Sequence, residues 1–597
     1  MSDQTPNPPG KDPKKGHKGR PGDERREREV LGGRHEPEPT PDTGQEAMPV
    51  PEGPTEIIKT SFQVGQDNIE GEAPFPFDIH NPVFVISAGA VVLFTAITII
   101  LQFATSVPPI DGAEQVSGVQ VAFEGVRDWV TSTFDWFFLI AGNIFVLLCL
   151  GLIVTPLGKV RLGGPEATPD FTMIGWFSML FAAGMGIGLM FYGVSEPLGH
   201  FQAAFTGPVV ENGVRTDWAP LGGAAGDEAA ARSLGMAATI FHWGLHPWAI
   251  YAVVALSLAL FAYNKGLPLT LRSVFHPLLG ESVWGWPGHI IDVMAVLATL
   301  FGLATSLGIG AEQAAAGFAF LGMFEASDTA KVVLIVAITA VATMSVVLGV
   351  EKGVKRLSEL NMGLAVILLF FVILVGPTGE IIGGFFSSLG AYAKEIVPLS
   401  NPFGRDDDNF RHGWTAFYWA WWISWSPFVG MFIARVSRGR TVREFLIAVL
   451  IVPMLISVLW MTALGGTAIT KTIEGISTIG DAALEIQLFE MLLHLPLTTI
   501  TSTVGIILVI VFFVTSSDSG SLVIDTISAG GKVNAPVPQR IFWCTIEGVV
   551  ALALLLGGGL GALQAMAVST GLPFTLVLLG ASWATVKGLL AERRELA

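Results

Sequence analysis

The sequence predicts an all-α polytopic membrane protein with twelve transmembrane helices. Of its 597 residues 51% are hydrophobic and only 14% are charged, against roughly 25% charged in soluble globular chains. The mean hydropathy is +0.59. The apolar residues gather into runs of about 20, long enough to cross a hydrocarbon layer about 30 Å thick. The 16 Trp and 39 Phe beside only 5 Tyr also suit lipid and interfacial surroundings.

Taken in order, residues 1–80 stand apart. They are basic and mixed in sign from Lys11 to Arg34, then acidic and Pro-rich from Glu36 to Asp78. Such a composition cannot bury enough apolar surface to offset its ordering entropy, so a disordered cytoplasmic N-terminal tail is expected over 1–80. It lacks the apolar core and cleavage site of a signal peptide. The basic stretch could meet anionic lipid or stay solvated. The apolar region, 81–590, divides between turn signals into spans near 83–104, 134–156, 172–194, 234–262, 286–318, 330–350, 359–377, 414–436, 443–466, 496–518, 540–558 and 564–588. The shorter, amphipathic 379–398 reads as an interfacial helix, and 591–597 as a short cytoplasmic C-terminal tail.

With the N-terminus inside, the internal loops and C-terminal end carry sixteen Lys and Arg and the opposite side eight. The excess is strongest in the ARVSRGR segment after the eighth span, and it places both termini in the cytoplasm. The formal charge of −16 resides in the tail and loops and implies no basic partner; nothing points to nucleic acid. Cys149 and Cys544 lie within apolar runs and cannot build a disulfide framework or a four-ligand zinc site.

The residues that carry chemistry fall inside the spans. The third contains Gly184-Met185-Gly186-Ile187-Gly188, three glycines that each cost roughly 1 kcal/mol of helix propensity relative to Ala. Close packing of small residues is one reading; an unwound segment whose free backbone groups bind an ion and a carboxylate is the other. Alternate glycines do not form a single packing stripe, which favours the second.

The fourth span carries Trp243, His246, Pro247, Trp248 and Tyr251, and the eighth Trp419, Trp421, Trp422, Trp425, Pro427 and Phe428. Trp421, Trp425, Phe428 and Phe432 recur at helical spacing toward mid-span, where an interfacial belt would not lie. Aromatic faces around one cavity suit a quaternary ammonium ion, which has no hydrogen-bond donors of its own. At about 0.5–2 kcal/mol per ring, four rings supply roughly 2–8 kcal/mol. Micromolar binding needs about 8 kcal/mol, so a carboxylate contact or a bound cation must contribute as well.

Thr515 and Ser516 in the tenth span are hard oxygen ligands of the kind Na⁺ uses, although such hydroxyls also bond back to carbonyls one turn earlier. Asp518 reads as a proton relay or a cap, and Glu312 is a buried carboxylate without an evident partner. His242 and His246 have no carboxylate or Cys at metal spacing. No phosphate-binding G-x-x-x-x-G-K-[ST] loop is present, so ATP-driven transport is not expected, and no nucleophile–base pair suggests an enzyme.

Together the Gly184–Gly188 motif, the Trp243…Trp248…Tyr251 run and the Trp419–Pro427 run resemble those of the betaine/carnitine/choline transporter (BCCT) family, over roughly residues 80–590. The likeness is greatest to its sodium-coupled glycine betaine carriers. It implies a LeuT-like core of two inverted five-helix repeats, spans 3–7 and 8–12, and a homotrimer. It further implies an aromatic box of Trp243, Trp248, Tyr251 and Trp422, with Trp425 helping to hold substrate and Trp419, Trp421 and Phe432 along the pathway. Backbone groups of Ala183, Gly184 and Met185 would meet the substrate carboxylate and a Na⁺ ion. That ion's site would combine Ala183, Met185 and Phe512 carbonyls with Thr515 and Ser516 hydroxyls; a second would use Thr299 and Phe428.

Gly188 stands where proton-coupled relatives carry Asp, which favours Na⁺. Leu303 replaces a Thr hydroxyl of the second ion site. Past Lys587 there is no long basic C-terminal helix, so osmotic activation through one is not expected. The function so implied is Na⁺-coupled symport of glycine betaine or a related compatible solute across the inner (plasma) membrane for osmoprotection. Na⁺ is the co-transported ion, no organic cofactor is involved, and the partners are an onium or zwitterionic solute and lipid. The alternatives are a choline, carnitine or ectoine carrier with proton coupling or exchange, and a membrane osmosensor or channel.

Overall fold

The computed structural model describes residues 51–55, 57–72, 76–104, 117–348 and 354–595. The chain is mostly helical. In order, its principal helices are α1 (Asn81–Ala104), α2 (Gly118–Val154), α3 (Met173–Gly184), α4 (Ile187–Thr206), α5 (Glu228–Trp243), α6 (Leu245–Ala259) and α7 (Trp286–Phe320). They continue with α8 (Asp328–Leu348), α9 (Val354–Val375), α10 (Thr378–Ser400), α11 (Phe417–Val436), α12 (Val442–Ile473), α13 (Thr498–Ser528) and α14 (Val537–Glu595). Among the described residues, each of the twelve predicted apolar runs falls largely on helix.

By length and composition nine of the helices among the described residues can cross a membrane, or ten when the bent pair α3–α4 counts as one span. Two differences from the predicted twelve have physical causes. α11 is too rich in Trp, Tyr and Ser to rank as strongly apolar, although nearly all of it is buried. α14 joins the last two runs into one element with a break at Gly558 and Gly559 (φ +56°), where the chain leaves helical geometry and turns against α2. Ser117 and Gln102 donate to the carbonyls of Gly557 and Leu556 that this break frees.

The helices form an inner and an outer set. In the apolar window of the Glu228–Asn264 stretch 94% of residues are buried, against 28% in those of α8 and α9. The outer helices turn large apolar side chains outward, among them Leu93, Phe103, Leu147, Val333 and Phe370, as a lipid-facing surface requires. α10 is amphipathic, as expected. Ile381, Ala391 and Tyr392 are buried, whereas Ile382, Phe386 and Val397 are exposed.

Residues 51–80, predicted to belong to a disordered tail, lie against the body wherever they are described. Glu52 N donates to Gly163 O at 2.8 Å and Ile58 N to Lys265 O at 3.1 Å. Phe62 stacks on Trp284 with centroids 4.3 Å apart. The strands β1 (Asn68–Glu70) and β2 (Asp78–His80) pair antiparallel, and Asp78 meets Lys532 at 2.5 Å. A few apolar anchors and backbone bonds to loops order this segment, which average composition does not reveal. Residues 1–50 lie outside the described residues.

At the other terminus, where a short tail is predicted from 591, α14 continues to Glu595. Glu592 is buried, bonding Lys265 Nζ at 2.7 Å and Asn264 Nδ2 at 3.1 Å. The described N-terminal segment and the end of α14 therefore share one end of the bundle.

At the opposite end the 207–226 loop docks on the segment before α11. Arg215 bonds Asp217 and Asp406, and Leu221 N donates to Asp407. Burial opposes ionisation of Asp217, but the Arg215 guanidinium and the N–H groups of Val209 and Ala219 outweigh it and hold its carboxyl at about 2.

Removing one partner of a buried ion pair leaves the other charge uncompensated, at a cost of about 3–5 kcal/mol. Glu592→Ala is therefore expected to lower the thermal unfolding midpoint clearly, and Lys265→Met with Glu592→Leu to recover much of the loss. Unfolding of the purified variants in detergent checks both.

Candidate functional site

The site is built around a helix that stops within the bundle. α3 ends at Gly184 and α4 begins at Ile187, with their axes bent by 64°. Between them Met185 (φ −95°, ψ 129°) and Gly186 (φ −164°, ψ −180°) are extended. This is the unwound form of the Gly-Met-Gly-Ile-Gly segment, not a packing stripe. The break leaves carbonyls at the end of α3 and amides at the start of α4 without intrahelical partners. Gly188 is set by space: a Cβ there would lie 2.8 Å from Trp243 and 3.1 Å from Trp421.

Two cavities border the break. The first, about 50 Å³, is lined by residues 183–189 with Trp243, Pro247, Trp248, Tyr251, Ser306, Trp421, Trp422, Trp425 and Ser457. It therefore gathers every residue predicted to hold substrate: Gly184, Met185, Trp243, Trp248, Tyr251, Trp422 and Trp425. Trp243 and Trp422 meet edge to face at 4.9 Å, Trp248 and Tyr251 at 5.3 Å, and Tyr251 and Trp422 at 6.2 Å. Trp421 stacks on Trp422 at 4.9 Å.

Two of the indole N–H groups are fixed by backbone carbonyls. Trp422 donates to His242 O at 2.9 Å, next to the second interruption, at Gly244 between α5 and α6. Trp425 donates to Gly302 O at 2.7 Å. The polar edges are thereby occupied elsewhere while ring surface borders the cavity.

The second cavity, about 140 Å³, is lined by Ala182, Ala183, Met185, Ser358, Asn361, Met362, Trp425, Phe428, Val429, Phe432, Phe512, Thr515, Ser516 and Ser519. The five predicted ligands of the first ion site thus border one space. Thr515 Oγ1 donates to Val511 O at 3.0 Å, which leaves its oxygen lone pairs free to accept or coordinate. Asn361 Oδ1 is buried without a hydrogen-bond partner, adding an oxygen the sequence reading did not include.

Other predicted residues lie elsewhere. Thr299 borders neither cavity, and its hydroxyl donates to Ala295 O at 2.7 Å. Leu303 packs on Gly520, where a Cβ would come within 2.2 Å of it. Trp419 packs on Phe241 and His246 at 4.9 and 5.2 Å and lines neither cavity, whereas Trp421 and Phe432 each line one. Glu312 has a partner after all, Lys331 at 2.6 Å.

The residue that sequence reasoning missed is Glu196 of α4, which is fully buried. Its Oε2 accepts from Trp243 Nε1 at 2.7 Å and from Tyr418 Oη at 2.6 Å. Its Oε1 lies 2.6 Å from His242 Nδ1 and 3.3 Å from His200 Nε2, and His242 Nε2 lies 3.0 Å from Thr415 Oγ1. The fold thus supplies the carboxylate that His242 lacks by spacing. The donor atoms of Glu196, His200 and His242 fall within 4.8 Å of one another, yet the carboxylate is already met by indole, phenol and imidazole groups. Its geometry is that of a support for Trp243. The expected third span ended at 194, two residues short of it; a carboxylate inside an apolar span was the available signal.

Beyond the box a larger space of about 960 Å³ is lined in part by Arg127, Asp128, Tyr192, Trp218, Trp414 and Phe417. Phe417, which lines this space, stacks at 5.5 Å on Trp421, which lines the first cavity.

The profile of the family described as BCCT, betaine/carnitine/choline family transporter, matches residues 82–594. A glycine betaine/proline/choline transporter of Vibrio parahaemolyticus is 62% identical over 546 residues, covering 91% of this chain and 96% of its own. A glycine betaine/proline/choline/ectoine transporter of the same organism is 50% identical, covering 90% and 91%. The glycine betaine transporter OpuD of Bacillus subtilis is 41% identical, covering 81% and 92%.

Hydrogen bonds to a charged group are worth about 1.5–3 kcal/mol each. Glu196→Gln, which turns a donor toward Trp243 or Tyr418, is expected to weaken solute affinity of the folded protein about tenfold or more. Solute titration followed by tryptophan fluorescence measures this; unchanged affinity would remove Glu196 from the support of Trp243.

Proposed function

The chain belongs to the betaine/carnitine/choline transporter family, whose members are transporters and not enzymes, and from that premise we propose that it is a Na⁺-coupled symporter of glycine betaine or a closely related compatible solute. One observation carries the reading: an aromatic cavity and an oxygen-lined cavity meet at a single helix break, with Met185 and Trp425 in both linings. The trimethylammonium group would lie among Trp243, Trp248, Tyr251 and Trp422, whose π faces attract a cation that cannot donate. The carboxylate would take the free amides at the start of α4, where the helix dipole favours negative charge. Na⁺ would take Ala183, Met185 and Phe512 carbonyls with the Thr515 and Ser516 hydroxyls, as half-helix ends do in discontinuous transporter helices.

Support for the first ion site exceeds that for the second, given the position of Thr299 and the side chain at Leu303. One Na⁺ moving through −100 mV yields about 2.3 kcal/mol, enough for roughly 50-fold accumulation. In this reading the twelve helical runs are twelve spans, spans 3–7 and 8–12 form inverted repeats, and the carrier is a homotrimer in the inner membrane. The basic loops near residues 161, 265, 438 and 532 then face the cytoplasm with both termini. Solute accumulation for osmoprotection is the physiological role.

Radiolabelled glycine betaine uptake into proteoliposomes tests the function. Uphill uptake is expected with an inward Na⁺ gradient and is expected to vanish when K⁺ replaces Na⁺; persistence would reject Na⁺ symport. Trp422→Ala should weaken apparent affinity about 2- to 30-fold, the value of one ring. Thr515→Ala with Ser516→Ala should raise the Na⁺ concentration needed for half-maximal uptake, and an unchanged Na⁺ dependence would move the ion site elsewhere.

A further inference from the structure

A further cavity of about 200 Å³ lies between α5, α10 and α12, near the end of the bundle that carries the 207–226 loop. It shares no lining residue with the aromatic or the oxygen-lined cavity. Its polar lining is Arg232 and Ser233 of α5, Ser387 and Ser388 of α10 and Thr462 of α12, which amounts to one cation and four hydroxyls with no carboxylate. Thr462 is 2% exposed, and among the described residues its buried hydroxyl oxygen has no hydrogen-bond partner. A buried hydroxyl left unpaired is costly unless water or an ion meets it.

Two glycines shape the space. A Cβ at Gly466 would lie 3.8 Å from both Arg232 Nη2 and Thr462 Cγ2, and one at Gly384 would come within 2.9 Å of Thr462 Cγ2. α10 can thus approach α12 closely, while the guanidinium and Thr462 stand beside bare backbone. Arg232 is paired with Glu380, which takes its Nη1 at 3.0 Å and the Thr470 hydroxyl at 2.5 Å. Glu380 lies outside the lining. Its side chain is 50% exposed against 28% for Arg232, so solvent screens the carboxylate more than the guanidinium. The wall of the cavity keeps a positive potential.

We propose that this cavity is a binding site for a small spherical monovalent anion, of which chloride is the common example. Both Nη groups of Arg232 already donate, Nη1 to Glu380 and Nη2 to Gly466 O at 3.4 Å, which takes away the planar two-point grip that an oxyanion uses. The Ser387 hydroxyl donates to Gly384 O at 3.2 Å. Ser233, Ser388 and Thr462 then supply one hydroxyl from each helix, an arrangement that surrounds a spherical ion keeping part of its water. Such an ion ties α5, α10 and α12 together. α5 carries Trp243 and α12 carries Ser457, both in the lining of the aromatic cavity, so occupancy stabilises the folded carrier and biases its conformations. The inference does not depend on which solute is carried or which ion drives it.

The test is a chloride titration of the full-length protein purified in detergent, with sodium gluconate exchanged for sodium chloride at constant Na⁺, ionic strength and pH. The unfolding midpoint of the wild type is expected to rise saturably with chloride. Chloride nuclear magnetic resonance is expected to show a line broadening that bromide competes away. Thr462→Val removes one hydroxyl at nearly constant shape and is expected to weaken chloride binding about tenfold or more, and Arg232→Gln to abolish it. A rise that never saturates, an equal response in Thr462→Val, or a response to sulfate or to added anionic phospholipid in place of chloride would overturn the proposal. Should Arg232→Gln fold poorly for want of its pair with Glu380, the chloride line width of Thr462→Val decides. Broadening lost with that substitution supports the site, and broadening unchanged by it rejects the site.

Discussion

A helix that stops inside a membrane exposes polar backbone that lipid cannot satisfy, and the centre of this protein is organised around that constraint. The chain between Gly184 and Ile187 is extended, so its carbonyls and amides must face something polar, and the surrounding helices shut out lipid. Pro247, Trp248, Tyr251, Trp421, Trp422 and Trp425 close one side; Phe512, Thr515, Ser516 and Asn361 close another. The interruption at Gly244 repeats the device on a smaller scale. Tyr392 Oη accepts from Leu245 N at 3.0 Å, and the His242 carbonyl receives the Trp422 indole. Each break is answered by an aromatic residue with a polar edge, so the backbone openings and the aromatic lining arise from one arrangement.

Glu196 makes that arrangement rigid. Trp243 comes from α5 and Tyr418 from α11, and both donate to one oxygen of a carboxylate on α4. His242 engages the other oxygen and continues to Thr415. A buried anion tolerates few arrangements of its donors, and here three helices are held by one side chain. Trp243 must also fit against Gly188, where no Cβ can be placed without moving a ring. Charge fixes the ring's polar edge and the missing side chain fixes its face.

Much of this was legible in the sequence. Clustered apolar residues located all twelve helical runs, and the glycines at 184, 186 and 188 located the break. The 421, 425, 428, 432 spacing identified a stripe that does face the two cavities. What failed did so for physical reasons. Composition averaged over residues 1–80 hid a short hairpin whose order comes from specific loops such as those at Gly163, Lys265 and Lys532. Tryptophan repeats could not distinguish Trp421, which lines a cavity, from Trp419, which packs on His246 one face away. Nor could linear spacing show that Glu196, His200 and His242 converge, or that Lys331 answers Glu312, because those pairings exist only after helices pack.

Trp425 and Met185 border both the aromatic and the oxygen-lined cavity, and the Trp425 indole is tethered to Gly302. Occupants of the two spaces would therefore touch the same side chain and the same backbone segment, and neither could bind without altering the surface offered to the other. Such linkage is reciprocal: whatever factor an ion contributes to solute affinity, the solute returns to ion affinity, typically about 5- to 150-fold for couplings of this kind. A shared wall one indole thick makes two adjacent voids a single thermodynamic unit.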